Sequence, residues 1–256
     1  MKHLRLLQLL EQNRKPFQPI ESRIVAKGKE ASIYLYDPIV GSRAMAEWYG
    51  GVCPQDFNPA LRALDAEKIT LYTNCPGGDV FAAEAMCQAI REHGAYIEMQ
   101  IEGYAASAAT SIACACDKVS ATKGSKYMVH QSWTFGMGNA DDFEQLIDLL
   151  RKCDNTMFDE YAAKTGQDRQ KIIDWCKAET WFTAEEAKQY GFVDEVLMTG
   201  KSSAKASAWN LSAYFNPPEP DSAPEPEPQE PAPEPQTISD DHRARQQQRL
   251  NLLTRI

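Results

Sequence analysis

Apolar and polar positions run in short regular patterns over the first two hundred residues and then lose all periodicity. Residues 32–36 (Ser-Ile-Tyr-Leu-Tyr) are rich in β-formers and read as a strand. Residues 38–53, with a proline and the Gly50-Gly51 pair, read as a loop, and 55–66 as a helix. A second strand over 69–73 runs into Asn74-Cys75-Pro76-Gly77-Gly78. A helix is predicted after Asp79, a good N-cap, with Val80, Ala83, Cys87 and Ile90 on one face. Residues 96–102 return to strand, and Gly103 turns the chain into an Ala-rich helix beginning at Ser107. Another strand-like run ends at His130, followed by a Trp- and Gly-containing loop to Asn139. From Ala140 the stripe Phe143, Leu146, Leu150, Cys153, Met157, Tyr161 predicts a helix of about 25 residues, longer than the usual one in a domain. Part of it is expected to project and pack against another subunit. Short helices over 168–177 and 184–190 and a strand over 192–197 complete the pattern.

Strand, turn and helix in repeated alternation predict an α/β core with parallel strands joined by crossovers. Sites in such sheets lie beyond the carboxyl ends of the strands. The Gly77-Gly78 turn, Ser107 and His130 all fall at that end.

Composition divides the chain. All 14 glycines lie at or before Gly200, and nine of the 15 prolines lie between Pro217 and Pro235. The expected organisation is an N-terminal arm (1–29), a catalytic domain (30–200), a disordered Pro/Glu-rich linker (201–238) and a basic amphipathic terminal helix (239–256). Seven cysteines without a regular framework suggest buried thiols in a reducing compartment, hence the cytoplasm. No C-x-x-C pair exists, so no metal is expected. The net charge of −9 argues against general nucleic-acid binding, and no run approaches the ~20 apolar residues of a membrane span. The start of the chain reads as an amphipathic helix or arm rather than a signal peptide. No phosphate loop or dinucleotide fingerprint is present, so no cofactor is expected.

The chemistry points to a serine hydrolase. Serine is a weak nucleophile until a neighbouring base takes its proton. Ser107 sits among small residues, and of the four histidines only His130 stands at a strand end with a loop after it. A Gly-Gly turn can present bare N–H groups to a developing oxyanion. A triad also needs an acid to orient the imidazole, and Asp117, Asp174 and Glu179 all qualify by pattern.

Residues 30–197 resemble the proteolytic subunit of the Clp protease (ClpP), and still more the ClpP-related head-maturation proteases of tailed phages. The resemblance rests on Ile69–Thr73, Asn74-Cys75-Pro76-Gly77-Gly78-Asp79-Val80-Phe81, Gly103-Tyr104-Ala105-Ala106-Ser107-Ala108 and Met128-Val129-His130-Gln131. The fourth segment runs from Glu179-Thr180-Trp181-Phe182 to Gly191-Phe192-Val193-Asp194. It implies a ClpP/crotonase-like fold of repeated β-β-α units with a protruding handle helix at about residues 131–160. It implies Ser107 as nucleophile, His130 as base and Glu179 as acid, where cellular Clp subunits usually carry Asp; Asp174 is the alternative acid. Gly78 and Ala108 would form the oxyanion hole, and Gly77, Asp79, Val80 and Trp133 would line the substrate strand. Homo-oligomeric rings, commonly two heptamers, and polypeptide substrates are further implications.

Glu179-Thr180-Trp181, the 38–53 loop and the tail favour phage scaffold and capsid proteins as substrates, cleaved in the host cytoplasm or the assembling procapsid. The competing readings are a housekeeping Clp subunit fed by an unfoldase, a crotonase-like acyl-CoA enzyme, a Ser–Lys peptidase using Lys123 or Lys126, and a non-catalytic scaffold-docking protein.

Overall fold

The computed structural model describes residues 5–198 and 209–218. In chain order these form α1 (Arg5–Gln12), a 3₁₀ turn (Ile20–Arg23), β1 (Ile24–Lys27), β2 (Glu30–Leu35), α2 (Arg43–Tyr49) and α3 (Pro54–Arg62). Then come β3 (Lys68–Cys75), α4 (Val80–Glu92), β4 (Tyr96–Ala106), α5 (Ala108–Ala115), β5 (Lys118–Thr122) and β6 (Lys126–Val129). The last elements are α6 (Ala140–Thr165), α7 (Arg169–Ala178), β7 (Thr180–Thr183), α8 (Ala184–Gln189) and β8 (Glu195–Leu197).

The sheet runs β1-β2-β3-β4-β5-β8, with β6 branching from β4 and β7 pairing with β6. Pairs from β2 to β8 along this path are parallel, as is β4–β6; β1–β2 and β6–β7 are antiparallel. This is the mixed α/β fold that the strand–helix alternation predicts. The core is built from alternate residues of the central strands, Ile69, Leu71, Ile97, Met99 and Ile101, packed against Ala83, Met86, Cys87 and Ile90 of α4. Asp79 caps α4 by accepting the Ala82 N–H at 2.7 Å.

The branching of β4 builds the functional end. Its first half, Glu98–Ile101, pairs with β5; its last residues, Tyr104–Ala106, pair with β6. Beneath this second layer Tyr127, Tyr161, Trp175, Phe182, Tyr190 and Phe192 form one aromatic cluster that fastens α6, α7 and β7 to β6.

Several expectations need correction. The 38–53 segment is not all loop: it holds α2, capped by Ser42 and ended by Gly50 at φ 82°. Strands β1, β5 and β7 were not anticipated, because four or five residues give too little periodicity to read. Val80 belongs to the exposed start of α4, while Ala83, Cys87 and Ile90 are buried as expected. The long helix is 26 residues and carries a capping box at Asn139 and Asp142. Of its predicted stripe only Tyr161 is fully buried, Leu146, Leu150, Cys153 and Met157 are half-buried and Phe143 is exposed; off the stripe, Phe158 is buried and Ile147 and Leu149 are exposed.

Of the expected arm, the described residues from Arg5 onward pack on the domain through Leu9 and Leu10. Residues 209–218, inside the span expected to be a disordered linker, lie folded against the same body, with Trp209, Leu211, Ala213 and Tyr214 buried. The terminal helix expected over 239–256 lies outside the described residues.

Candidate active site

Strand register brings the chemistry together. Ala106 of β4 stands opposite Met128 of β6, and Ser107 N–H donates to Met128 O at 2.9 Å. Val129 stands opposite Thr180 of β7. One residue beyond each strand end lie Ser107, His130 and Glu179. Cys75 pairs with Ala105, so the Pro76-Gly77-Gly78 turn meets the same point from β3.

Ser107 occupies a sharp turn between β4 and α5, with φ 54° and ψ −127°. A non-glycine residue held in such a region costs on the order of 1–3 kcal/mol and persists only where the surroundings enforce it. The enforcement is visible. A Cβ on Gly77 would fall 2.6 Å from Ala106 O and 2.6 Å from Ser107 Cβ, so only glycine lets the two turns touch. The Thr110 hydroxyl holds the Ser107 carbonyl and bonds the buried Tyr161 hydroxyl. The result is a serine projected from the sheet end with its Oγ 2.7 Å from His130 Nε2.

Gly78, at φ 147°, lies against Ile39, whose carbonyl would be 1.9 Å from an added Cβ. Ile39 donates to Gly77 O and accepts from Asp79 N–H, each at 2.9 Å. Because the Gly77–Gly78 peptide is trans and its carbonyl faces Ile39, the Gly78 N–H points away from Ile39. The Ala108 N–H is the first of α5, where no intrahelical acceptor exists.

His130 is buried, and burial, with Arg5 adding a like charge, pushes its imidazole down from 6.5 to about 4. Among the described residues its hydrogen bond is the one to Ser107. Glu179 follows α7 in a left-handed conformation, φ 50°, and is 5% exposed. Its Oε1 accepts the backbone N–H groups of Phe215 and of Asn216, the latter at 2.7 Å. Its Oε2 has no hydrogen-bond partner among the described residues; Arg5 Nη1 lies 3.8 Å away. Glu179 is therefore next to His130 in register but bonded elsewhere.

The other acids stand apart. Asp117 accepts the Ile97 N–H at 2.7 Å, at the far end of the sheet. Asp174 is exposed on α7 and bonds Gln170. Lys126 reaches Gly124 O, and Lys123 is exposed in the turn before β6, so neither lysine replaces His130 beside the serine. Trp133 is half-buried, with the Arg5 guanidinium 5.8 Å from its ring.

Sequence reasoning missed several residues here. Asp154 is buried and accepts from Ser132 N–H at 2.6 Å and Gln131 Nε2 at 3.0 Å, fixing the chain just after His130. Tyr214 crosses the His130 ring edge-on at 5.7 Å, and its hydroxyl donates to Pro76 O. The one legible signal for Tyr214 was the apolar set Trp209, Leu211, Tyr214 and Phe215 immediately before the proline run.

Comparison with known proteins gives the family. The Clp protease family matches residues 56–200, more than half of the chain. ATP-dependent Clp protease proteolytic subunit 2 of Thermobifida fusca is 31% identical over 190 residues, covering 70% of this chain and 82% of its own. The ATP-dependent Clp protease proteolytic subunit of Bacteroides fragilis is 32% identical over 141 residues, 54% of this chain and 68% of the relative. In fold, a ClpP1 mutant from Listeria monocytogenes superposes with a TM-score of 0.55 at 22% identity, over 70% of this chain and 94% of that one. The chain belongs to the Clp protease family and is a ClpP-like serine endopeptidase.

Proposed function

We propose that this chain hydrolyses peptide bonds through Ser107, His130 and Glu179. The observation that carries the reading is the 2.7 Å contact of Ser107 Oγ with His130 Nε2 on a strained turn beside Gly77-Gly78. His130 takes the serine proton as Oγ attacks the scissile carbonyl. The Gly78 and Ala108 N–H groups receive the oxyanion, each worth about 10²–10³ in turnover. The imidazolium returns its proton to the departing amine, leaving an acyl-enzyme that water hydrolyses by the same steps. Glu179, once turned to His130 Nδ1, fixes the tautomer and stabilises the imidazolium. An extended substrate adds as a strand along Gly77–Val80 on one side and the Trp133 segment on the other.

The finer reading is a head-maturation protease acting on scaffold and capsid proteins in the host cytoplasm or procapsid. It rests on the glutamate in the acid position, the residues around it and the Pro/Glu-rich tail. The names of the curated relatives favour a second reading, a Clp subunit served by an unfoldase. The exposed apolar start of α6 supports assembly into rings through that helix. Exposure to a fluorophosphonate probe, read by intact mass, tests the chemistry. A single adduct absent from Ser107→Ala is expected, and an adduct that survives Ser107→Ala refutes it. Incubation with an unfolded protein, with procapsid components, and with an unfoldase plus ATP separates the two roles.

A further inference from the structure

Residues 209–216 lie across the site just described. Trp209 is buried, with its Nε1–H donating to Asn74 O at 2.9 Å and Asn74 Oδ1 at 3.2 Å, at the end of β3. Lys15 Nζ sits 4.0 Å from the Trp209 ring centroid. Tyr214 is buried against the His130 ring and, on its other side, against Trp181 at 5.6 Å. Its hydroxyl donates to Pro76 O, on the turn that carries the proposed oxyanion donor. The next two backbone N–H groups, of Phe215 and Asn216, hold Glu179 Oε1.

Helix α1 fastens the segment from outside. Asn13 and Asn210 exchange two hydrogen bonds, at 2.9 and 2.8 Å, and Ser212 donates to Gln12 at 2.8 Å. Leu9 packs into the same cluster as Trp209, Leu211 and Tyr214, and Arg5 stacks over Phe215.

We infer that residues 209–216 are an autoinhibitory strap: Tyr214 fills the cleft at Ser107 and His130, and the strap backbone holds the Glu179 carboxylate away from the imidazole. The inference rests on the serine peptidase reading. Three features agree with it. The space that a scissile residue needs beside the Pro76 turn is taken by an aromatic ring. Glu179 keeps one buried oxygen without a hydrogen-bond partner among the described residues, which a move to His130 Nδ1 would satisfy. His130, at about 4, is far from the value that suits a base working near neutral pH; opening the cleft to water relieves the larger cause, burial, and a carboxylate turned to the ring would oppose the Arg5 charge. Displacement of this chain's own segment is therefore the step that licenses catalysis. The strap joins the proline-rich region, so a partner or a cut acting there could pull it away.

The test compares fluorophosphonate labelling rates of three full-length proteins: wild type, Trp209→Ala/Tyr214→Ala, and Phe215→Pro. The first variant removes the two buried anchors. The second removes one donor to Glu179 at a residue that is mostly exposed, so it retains the fold if the first does not. Amide hydrogen exchange on the wild type reads whether the Phe215 and Asn216 N–H groups are protected. Protected amides and labelling faster by about tenfold or more in the variants are expected, because opening raises the competent fraction. Rates equal to or below wild type, or unprotected amides, overturn the strap and leave the peptidase reading standing. No labelling of Ser107 in any of the three proteins overturns the peptidase reading itself, and the strap with it.

Discussion

The buried imidazole makes stability depend on pH in a window where few other groups titrate. His130 has a folded value of about 4 against 6.5 for the exposed side chain, with burial the larger cause and Arg5 the smaller. Between those values the unfolded chain binds a proton that the folded chain refuses. Stability contributed here is complete above the unfolded value and is lost as pH falls toward the folded one. The slope is about 1.4 kcal/mol per pH unit, which gives a loss of about 2 kcal/mol between pH 7.5 and pH 5. The groups facing the ring are Ser107, Tyr214 and the Arg5 charge, with Glu179 adjacent in register but bonded to the strap. Urea denaturation at pH 7.5 and 5 on wild type and His130→Gln isolates the effect, since carboxylates contribute equally to both. The wild type should lose about 2 kcal/mol more than the variant over this interval. Equal losses would refute the reasoning, and a wild type that gains stability on acidification would place Glu179 on the imidazole after all.

Three further outcomes follow from packing. Gly77→Ala sets a methyl against Ala106 O and the nucleophile's own Cβ at φ 93°. Turnover should fall by ~10² or more as Ser107 is displaced, whereas Gly94→Ala, with nothing within 4 Å, should match wild type in a peptide assay. Asp154→Ala leaves the Ser132 N–H and the Gln131 amide without their acceptor; it should cost about 1–3 kcal/mol by chemical denaturation and speed hydrogen exchange over 131–135. Unchanged exchange there would show that Asp154 does not hold the segment after His130. Phe192→Ala opens the aromatic cluster beneath β6 and should cost about 3–5 kcal/mol, with a calorimetric shift too small for that value counting against the cluster as the anchor of α6 and α7.

The sequence is most legible where the pattern is longest. Asp79 and the i, i+3, i+4 spacing behind it announce α4, and the stripe from Phe143 to Tyr161 announces α6. Ser107 and His130 are legible because each ends an apolar run at the carboxyl edge of a parallel sheet, and register then brings them to 2.7 Å. Glu179 is named by resemblance alone and lies at the head of β7, a strand the pattern did not announce. Its contacts could not be read, because they depend on backbone N–H groups 36 and 37 residues downstream that carry no side-chain signature. The strap was hidden for a related reason. Trp209, Leu211 and Tyr214 are too few for a period, and they sit beside a proline run whose composition speaks for disorder. Helix α2 escaped because Gly50, read with Gly51 as loop, is its left-handed stop.

The central claim is that Ser107, freed of the strap, cuts peptide bonds. Its most direct test is digestion of an unfolded protein by full-length Tyr214→Ala, alongside Tyr214→Ala/Ser107→Ala, with products read by mass spectrometry. Cleavage by the first and none by the second is the expected result. Fragments that persist without Ser107 would contradict it.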